Sequence, residues 1–223
     1  NGVLYVEDNI IKLVDRADNI DLSEYETDSR IIDASGKILC PGFVSLHSHL
    51  YSAVVRNIPF SGFDDADFSF ISWMERFWYP MLEDRVTREQ MYIGSLANML
   101  GNIRSGITTT ADTAEGSYAL PGAMDYVYRA AQESGMRCVL SFETTGRISK
   151  ENQELGFEEN LNFIKKVNPQ GGRIKARIGI HTTFSCPTEL LVAAREQADE
   201  LGCGIMMHMA DDRWHNFDAT RKY

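Results

Sequence analysis

The order of apolar segments predicts an α/β fold with a parallel sheet. After Pro41-Gly42, strand-like apolar runs alternate with segments of helical periodicity. Strands that alternate with helices pair in parallel, because each helix returns the chain to the start of the next strand. Two architectures fit: an open, doubly wound sheet of five strands, or the first five units of a (β/α)8 barrel, which needs roughly 250 residues. The runs lie at residues 43–49, 107–112, 137–143, 176–181 and 204–209.

The junction between helix and strand follows one pattern at three places. A glycine ends the helical segment at Gly106, Gly135 and Gly202, each shortly before a strand-like run. Glycine suits this position because it adopts positive φ without a clash of its missing Cβ. In the helix before Gly202, apolar residues recur at three- and four-residue spacing, which predicts one buried face. These residues are Leu190, Leu191, Ala194, Ala198 and Leu201.

Residues 1–40 follow a different pattern and predict part of a small β-sandwich. Short apolar runs at residues 3–6 and 10–14 are separated by the turn-forming pair Asp8-Asn9. We therefore expect two parts, a β module at 1–40 and the α/β portion at 41–223.

Composition narrows the classes of function. The chain is 43% hydrophobic and 24% charged, which is ordinary for globular proteins. Its formal net charge is −10 and it has no cluster of Lys and Arg, so we expect no nucleic-acid partner. No run approaches the ~20 apolar residues that cross a bilayer, so we expect no membrane partner.

The cysteines and the first residues indicate the cellular compartment. The four cysteines form no C-x-x-C pair, and three lie in or beside apolar runs. Residues 1–4 lack the charged, apolar and small-residue order of a secretory signal. We therefore expect a cytoplasmic protein whose thiols are reduced and mostly buried. The cysteines are Cys40, Cys138, Cys186 and Cys203.

The strongest chemical signal is the segment His47-Ser48-His49. Residues i and i+2 of a strand point to the same face, so both imidazoles can converge on one ion. Imidazole is the commonest protein ligand for zinc-like metals. Taken alone, the pair also fits two hydrogen-bonded histidines at a strand end.

The residues before this pair carry a resemblance to a known family. Residues 33–49 read D-x-x-G-x-x-x-x-P-G-F-V-x-x-H-x-H. This pattern closely resembles the entry to the first barrel strand in the amidohydrolase superfamily. Residues 73–87 and 106–110 are similar to its deaminase-like branch, which includes cytosine, guanine, chlorotriazine and S-adenosylhomocysteine aminohydrolases. Residues 141–145 look like the third strand of aminohydrolases linked to bacterial selenium metabolism.

This resemblance implies a partial (β/α)8 TIM barrel of about strands 1–5 and a metal site. His208 ends the fifth strand-like run, where the family places its third metal-binding histidine. We expect His47, His49 and His208 to hold one divalent ion, Zn²⁺ or Fe²⁺. The bridging lysine of binuclear members has no counterpart on the fourth strand, because Lys175 precedes it. The alternative for His208 is a core histidine held by one hydrogen bond.

The resemblance also implies catalytic and substrate-binding residues. His181 ends the fourth run, where related deaminases carry a histidine that binds substrate; the alternative is a buried, hydrogen-bonded histidine. Asp211 stands where relatives have the Glu of H-x-x-E, which shuttles protons. Asp is one methylene shorter, and Asp211 with its neighbour Asp212 also fits a solvated loop. No role is expected for His215.

A segment after the first strand supplies the remaining candidates. Trp73 and Trp78 belong to an aromatic cluster that could stack a flat heterocycle, or pack a helix on the barrel. Glu83 resembles a residue that contacts polar groups of the substrate in some relatives.

Together these features imply a metal-dependent hydrolase of C–N bonds. We expect an aminohydrolase that removes an amino group from a small-molecule nitrogen heterocycle by means of metal-activated water. Hydrolysis of an amide, cyclic amide or halide at the same site is one alternative, and a non-catalytic relative is another. Members of this branch are often oligomers, which makes a homo-oligomer the family expectation.

Overall fold

The computed structural model describes residues 2–21, 23, 25, 29–59 and 69–222. These form two compact units, Asn1–Pro41 and Gly42–Tyr223. In the first unit, strands β1 (Gly2–Glu7) and β2 (Ile10–Arg16) pair antiparallel. Asp8 takes a positive φ of 56° at the turn between them, a conformation that Asp tolerates better than most residues.

The second unit contains a parallel sheet. Its strands are β3 (Phe43–Ser45), β4 (Ile107–Ala114), β5 (Arg137–Thr144), β6 (Ile174–Ala176), β7 (Ile178–Ile180) and β8 (Ile205–Met207). They pair in the order β3-β4-β5-β7-β8, and β6 also pairs with β5. Arg177 alone separates β6 from β7, so the two act as one interrupted strand. Lys175, expected before the fourth strand, lies within β6 at the amino-terminal part of that strand and away from its carboxyl end.

This strand order decides between the two predicted architectures. In a doubly wound sheet the order reverses at a switch point, so the first strand lies inside the sheet. Here β3 lies at one edge and every later strand follows in chain order. That is the order of successive barrel units, which confirms a partial (β/α)8 barrel. Three predicted runs extend beyond the strands: residues 46–49 lie after β3, residue 181 lies after β7, and residues 208–209 lie after β8.

The helices are α1 (Phe70–Trp73), α2 (Arg88–Arg104), α3 (Ala123–Ser134), α4 (Lys150–Val167), α5 (Thr188–Leu201) and α6 (Arg213–Lys222); a π-helical segment (Met74–Glu83) continues α1. Local sequence signals set the ends of several of them. Thr87 and Gln90 form a reciprocal capping box at the start of α2, and the Ser149 side chain caps α4. Gly135 and Gly202 end α3 and α5 with φ of 70° and 61°, as predicted.

The apolar core lies between the helices and the sheet. Val127 of α3, Ile164 of α4 and Ala194 of α5 are buried, as are Leu140 and Ile178 of the strands. Because the strands are parallel, all their carboxyl ends meet at one edge of the sheet, where barrel enzymes place their active sites. In the described part of the chain, no helix combines the length and apolarity that crossing a bilayer requires.

Candidate active site

The H-x-H segment is fixed by the end of the neighbouring strand β4. The Asp112 carboxylate accepts hydrogen bonds from the Leu50 backbone N–H at 2.7 Å and from the Ser48 hydroxyl at 3.3 Å. The Thr113 N–H donates to the Ser48 carbonyl at 3.1 Å. Asp112 is fully buried. The two histidines on either side of Ser48 are therefore held by backbone and side-chain contacts to β4.

Three histidines that follow the two edge strands, β3 and β8, come together at the carboxyl ends of the strands. Nε2 of His208 lies 3.3 Å from Nε2 of His47. Ring centroids are 4.9 Å apart for His47–His49 and for His47–His208, and 5.2 Å apart for His49–His208. One ligand atom from each of the three lies within 4.8 Å of the others. The curvature of the sheet thus brings together the three residues expected to bind metal.

Hydrogen bonds orient these rings toward a common point. Nδ1 of His49 lies 3.1 Å from the Thr113 carbonyl oxygen, which can only accept, so the ring proton is on Nδ1. Nδ1 of His208 lies 3.0 Å from Oε1 of Glu143. In both rings Nε2 is left with its lone pair. Two nitrogens bound tetrahedrally to zinc at about 2.0–2.1 Å are about 3.3–3.4 Å apart, which matches the His47–His208 separation.

Glu143 is a site residue that sequence reasoning missed. It lies near the end of β5, is 1% exposed, and contacts three of the histidines. Besides the hydrogen bond from His208, its carboxylate lies 3.5 Å from Nε2 of His181 and 3.8 Å from Nδ1 of His49. Burial opposes its ionisation, but the His208 hydrogen bond and the nearby histidines outweigh burial and lower the pKa of Glu143 to about 2.

The histidines themselves are shifted mainly by burial. Burial lowers the pKa of His47 and of His49, and it lowers the pKa of His181 to about 4 although Glu143 opposes this. Burial acts in the same direction on His208, but the hydrogen bond to Glu143 and nearby carboxylates raise its pKa. Neutral imidazoles at His47 and His49 are in the form that binds metal.

His181 lies beside these groups at the end of β7. Its side chain is nearly buried, its Nδ1 lies 2.7 Å from the Ser185 hydroxyl, and its ring centroid lies 5.8 Å from that of His208. The predicted substrate-binding histidine is therefore adjacent to the three metal candidates and is held by a side-chain hydroxyl.

Asp211 lies just beyond these histidines. Its negative charge opposes the burial that lowers the pKa of His49 and His181, and it helps to raise the pKa of His208. Its Oδ2 lies 3.3 Å from Nδ1 of His215, a residue for which no role was expected. His215 is 1% exposed, and its Nε2 lies 2.8 Å from the Thr183 hydroxyl. Asp211 is thus tethered and not a freely solvated loop residue.

The π-helical segment carries the other predicted site residues. The Trp78 ring lies 6.1 Å from the His49 ring, whereas Trp73 lies behind Trp78 at 5.0 Å. Glu83 is 1% exposed and accepts from Nη2 of Arg147 at 3.3 Å. Burial raises the pKa of Glu83 to about 7, against hydrogen bonds from Glu115 and Trp78. Trp78 therefore borders the histidines directly, and Glu83 contacts Trp78.

Comparison with known proteins identifies the family. The Amidohydrolase family profile matches residues 38–223. The chain belongs to the amidohydrolase family. This match confirms the resemblance inferred from the pattern at residues 33–49.

Relatives of this amidohydrolase, and solved structures of other proteins similar to it, include several deaminases. A 5-methylthioadenosine/S-adenosylhomocysteine deaminase of Syntrophomonas wolfei is 33% identical over 223 residues, which is 100% of this chain and 47% of that protein. A guanine deaminase from C. acetobutylicum has a TM-score of 0.78 at 15% identity, over 99% of this chain and 51% of that chain. Atrazine chlorohydrolase from Arthrobacter aurescens complexed with zinc has a TM-score of 0.70 at 20% identity, over 94% of this chain and 48% of that chain.

These comparisons support the barrel fold over the described residues. The amidohydrolase chain spans about half the length of the curated relatives it matches.

Glu143 could have been suspected from sequence, because it is a charged residue at the end of the predicted strand-like run 137–143. His215 carries no comparable signal, since it lies in a polar segment.

Proposed function

We propose that this amidohydrolase is a metal-dependent aminohydrolase that hydrolyses the exocyclic C–N bond of a nitrogen heterocycle. The observation that carries the proposal is the convergence of His47, His49 and His208, with ligand atoms within 4.8 Å of one another. The Glu143 carboxylate beside them and the family membership support a hydrolytic metal site.

His47, His49 and His208 would hold one divalent ion, and zinc is our first candidate over iron(II). The three nitrogen donors suit zinc, which catalytic sites bind through three protein ligands and an open position. When bound, the ion supplies a Lewis acid that polarises the reacting group and lowers the pKa of water to near neutrality.

Asp211 would transfer a proton, and His181 would stabilise the negative charge that develops on oxygen. Asp211 would take a proton from water as its oxygen bonds to the ring carbon that bears the amino group, and would return that proton to the nitrogen as the C–N bond breaks and ammonia leaves. Burial keeps His181 neutral at pH 7, so its single N–H, on the Nε2 that lies 3.5 Å from Glu143, would be shared between that carboxylate and the negative charge that develops on oxygen. The face of Trp78 beside His49 would stack the flat ring, with Trp73 behind it and Glu83 available to a polar group.

The names of the relatives indicate which substrate class to test first. A relative that shares 33% identity over the whole chain is a 5-methylthioadenosine/S-adenosylhomocysteine deaminase, and another at 36% identity is a 5'-deoxyadenosine deaminase. We therefore place adenosine derivatives first in a panel of candidate small molecules, followed by guanine, cytosine and triazines. A homo-oligomer remains the family expectation for the assembled protein.

The test is elemental analysis of the purified protein in its natural full length. We expect about one zinc or iron per chain, together with ammonia release from at least one member of the panel. The double variant His47→Ala/His49→Ala should lose both, because two of the three nitrogen donors are gone. A full-length protein that binds no metal after reconstitution would favour the non-catalytic reading.

A second candidate function arises from Asp211. Its carboxylate is one methylene shorter than the Glu of related deaminases and is held by His215. A shift of about 1 Å in a catalytic group can cost much of the rate. Hydrolysis of an amide, cyclic amide or halide on the same site is therefore the alternative. Turnover of such substrates with no ammonia from any amino heterocycle would select it.

A further inference from the structure

One buried carboxylate joins histidines from two different strands. Oε1 of Glu143 lies 3.0 Å from Nδ1 of His208 and 3.5 Å from Nε2 of His181. The first separation is that of a charge-assisted hydrogen bond. The three residues also have ligand atoms within 4.8 Å of one another. Because the Glu143 contact occupies Nδ1 of His208, it leaves Nε2 to face His47 at 3.3 Å.

The other nitrogen of His181 is held by a chain of hydroxyls. Ser185 Oγ lies 2.7 Å from Nδ1 of His181, and Thr182 Oγ1 lies 2.9 Å from Ser185 Oγ. A carboxylate can only accept hydrogen bonds. With Glu143 on one side, the ring proton of neutral His181 is favoured on Nε2, and the hydroxyl of Ser185 then donates to Nδ1.

The backbone around Glu143 is fixed on both sides. The Asn160 side chain of α4 accepts from Phe142 N–H at 2.9 Å and from Gly179 N–H at 3.1 Å. It also donates to the Phe142 carbonyl at 2.7 Å. Glu143 pairs with Gly179 in the ladder, where a Cβ on Gly179 would meet the Phe142 carbonyl. The carboxylate therefore projects from a strand end that two strands and one helix hold in place.

We propose that Glu143 is a positioning residue, which fixes the ring orientation and proton placement of His208 and His181. The inference rests on the proposed function, since it treats His208 as a metal ligand. Carboxylates that accept from the second nitrogen of a metal-bound histidine raise its basicity, and their loss costs about 10–100-fold in metal affinity.

The experiment compares zinc affinities in the full-length protein, measured by competition with a chromogenic chelator. Glu143→Gln keeps an oxygen that can accept from His208 and should weaken zinc binding about 10-fold. Glu143→Ala leaves the buried Nδ1–H without an acceptor and should weaken it by about 100-fold. Melting temperatures of the metal-free proteins show whether each variant is folded.

Glu115→Gln is the matched control. Glu115 is also 1% exposed and follows the neighbouring strand β4, but it is hydrogen-bonded to Glu83 and not to a site histidine. We expect its zinc affinity to match that of the unsubstituted protein. Equal affinity in folded Glu143→Gln, Glu143→Ala and the unsubstituted protein would overturn the positioning role alone. An unsubstituted protein that binds neither zinc nor iron(II) would overturn the proposed function and this inference together.

Discussion

His49 and His208 each place one ring nitrogen against a protein oxygen and direct the other toward a shared point. The acceptors are the Thr113 carbonyl and the Glu143 carboxylate. At the scale of single residues, these two hydrogen bonds decide which nitrogens are available to an ion. The sequence identified His49 through the H-x-H pattern and His208 through the family resemblance, but it did not identify their acceptors, because the acceptors come from other strands.

Asp211→Asn should abolish most turnover while zinc content stays unchanged. An amide cannot carry the proton between water and leaving group, and loss of a general acid or base typically costs about 10²–10⁴-fold. The readout is kcat for ammonia release beside zinc per chain. Asp212→Asn is the matched control, because the Asp212 side chain accepts from His215 N–H at 2.8 Å and Asn can also accept there. Equal loss in both variants would assign Asp211 a structural role only.

Asp112→Asn should change how stability depends on pH. Burial raises the pKa of Asp112 to about 7, although hydrogen bonds from Leu50 and Ser48 oppose this. The folded protein thus binds this proton more tightly than the unfolded chain does. Protonated Asp112 therefore stabilises the folded protein by up to about 4 kcal/mol below pH ~4, the pKa of this group in the unfolded chain. This stabilisation is lost as the pH rises through about 7, its pKa in the folded protein.

The Asp112→Asn variant cannot ionise at this position. Its melting temperature relative to that of the unsubstituted protein should therefore increase between pH 5 and pH 8, as followed by calorimetry. Parallel melting curves for the two proteins across this range would mean that Asp112 does not titrate there.

At the scale of elements, one helix side chain holds two strand ends together. Asn160 of α4 is buried and bonds to Phe142 of β5 and to Gly179 of β7. Strand and helix periodicity predicted these elements, and the glycine junctions predicted where α3 and α5 end. The Asn160 contacts could not be predicted, because a polar residue inside a helical pattern is usually assigned to the solvent face.

Asn160→Ala should destabilise the protein by about 2–4 kcal/mol, since it leaves buried backbone groups without partners. Denaturant unfolding gives the free energy. Asn216→Ala, at an exposed position of α6, is the control and should change the free energy of unfolding by less than about 0.5 kcal/mol. A loss below about 1 kcal/mol in Asn160→Ala would mean that water replaces these contacts.

At the scale of the whole molecule, the sheet has two unpaired edges within the described residues. Strand β3 lies at one edge and β8 at the other. Near the first edge, the side chains of Phe43, Val44 and Leu46 are 65%, 57% and 75% exposed. Open strand edges with exposed apolar side chains pair with other chains.

We therefore expect residues 1–223 expressed alone to aggregate or to unfold without cooperativity. Size-exclusion chromatography with light scattering, together with thermal unfolding, would show this. A monomeric 1–223 protein with a single sharp transition would contradict the view that these strands need further barrel strands beside them.

Local pattern was enough to determine the strand–helix alternation, the helix ends and the family. Periodicity, glycine junctions and the run before His47 are all encoded by residues close together in the chain. Bringing His208 to His47 required the sheet to curl, and only the fold shows this, because the two residues lie on strands at opposite edges. The contacts of Glu143 with His208 and of His215 with Thr183 were decided by tertiary structure alone. Each depends on side chains meeting in space, and for such contacts sequence spacing carries no physical signal.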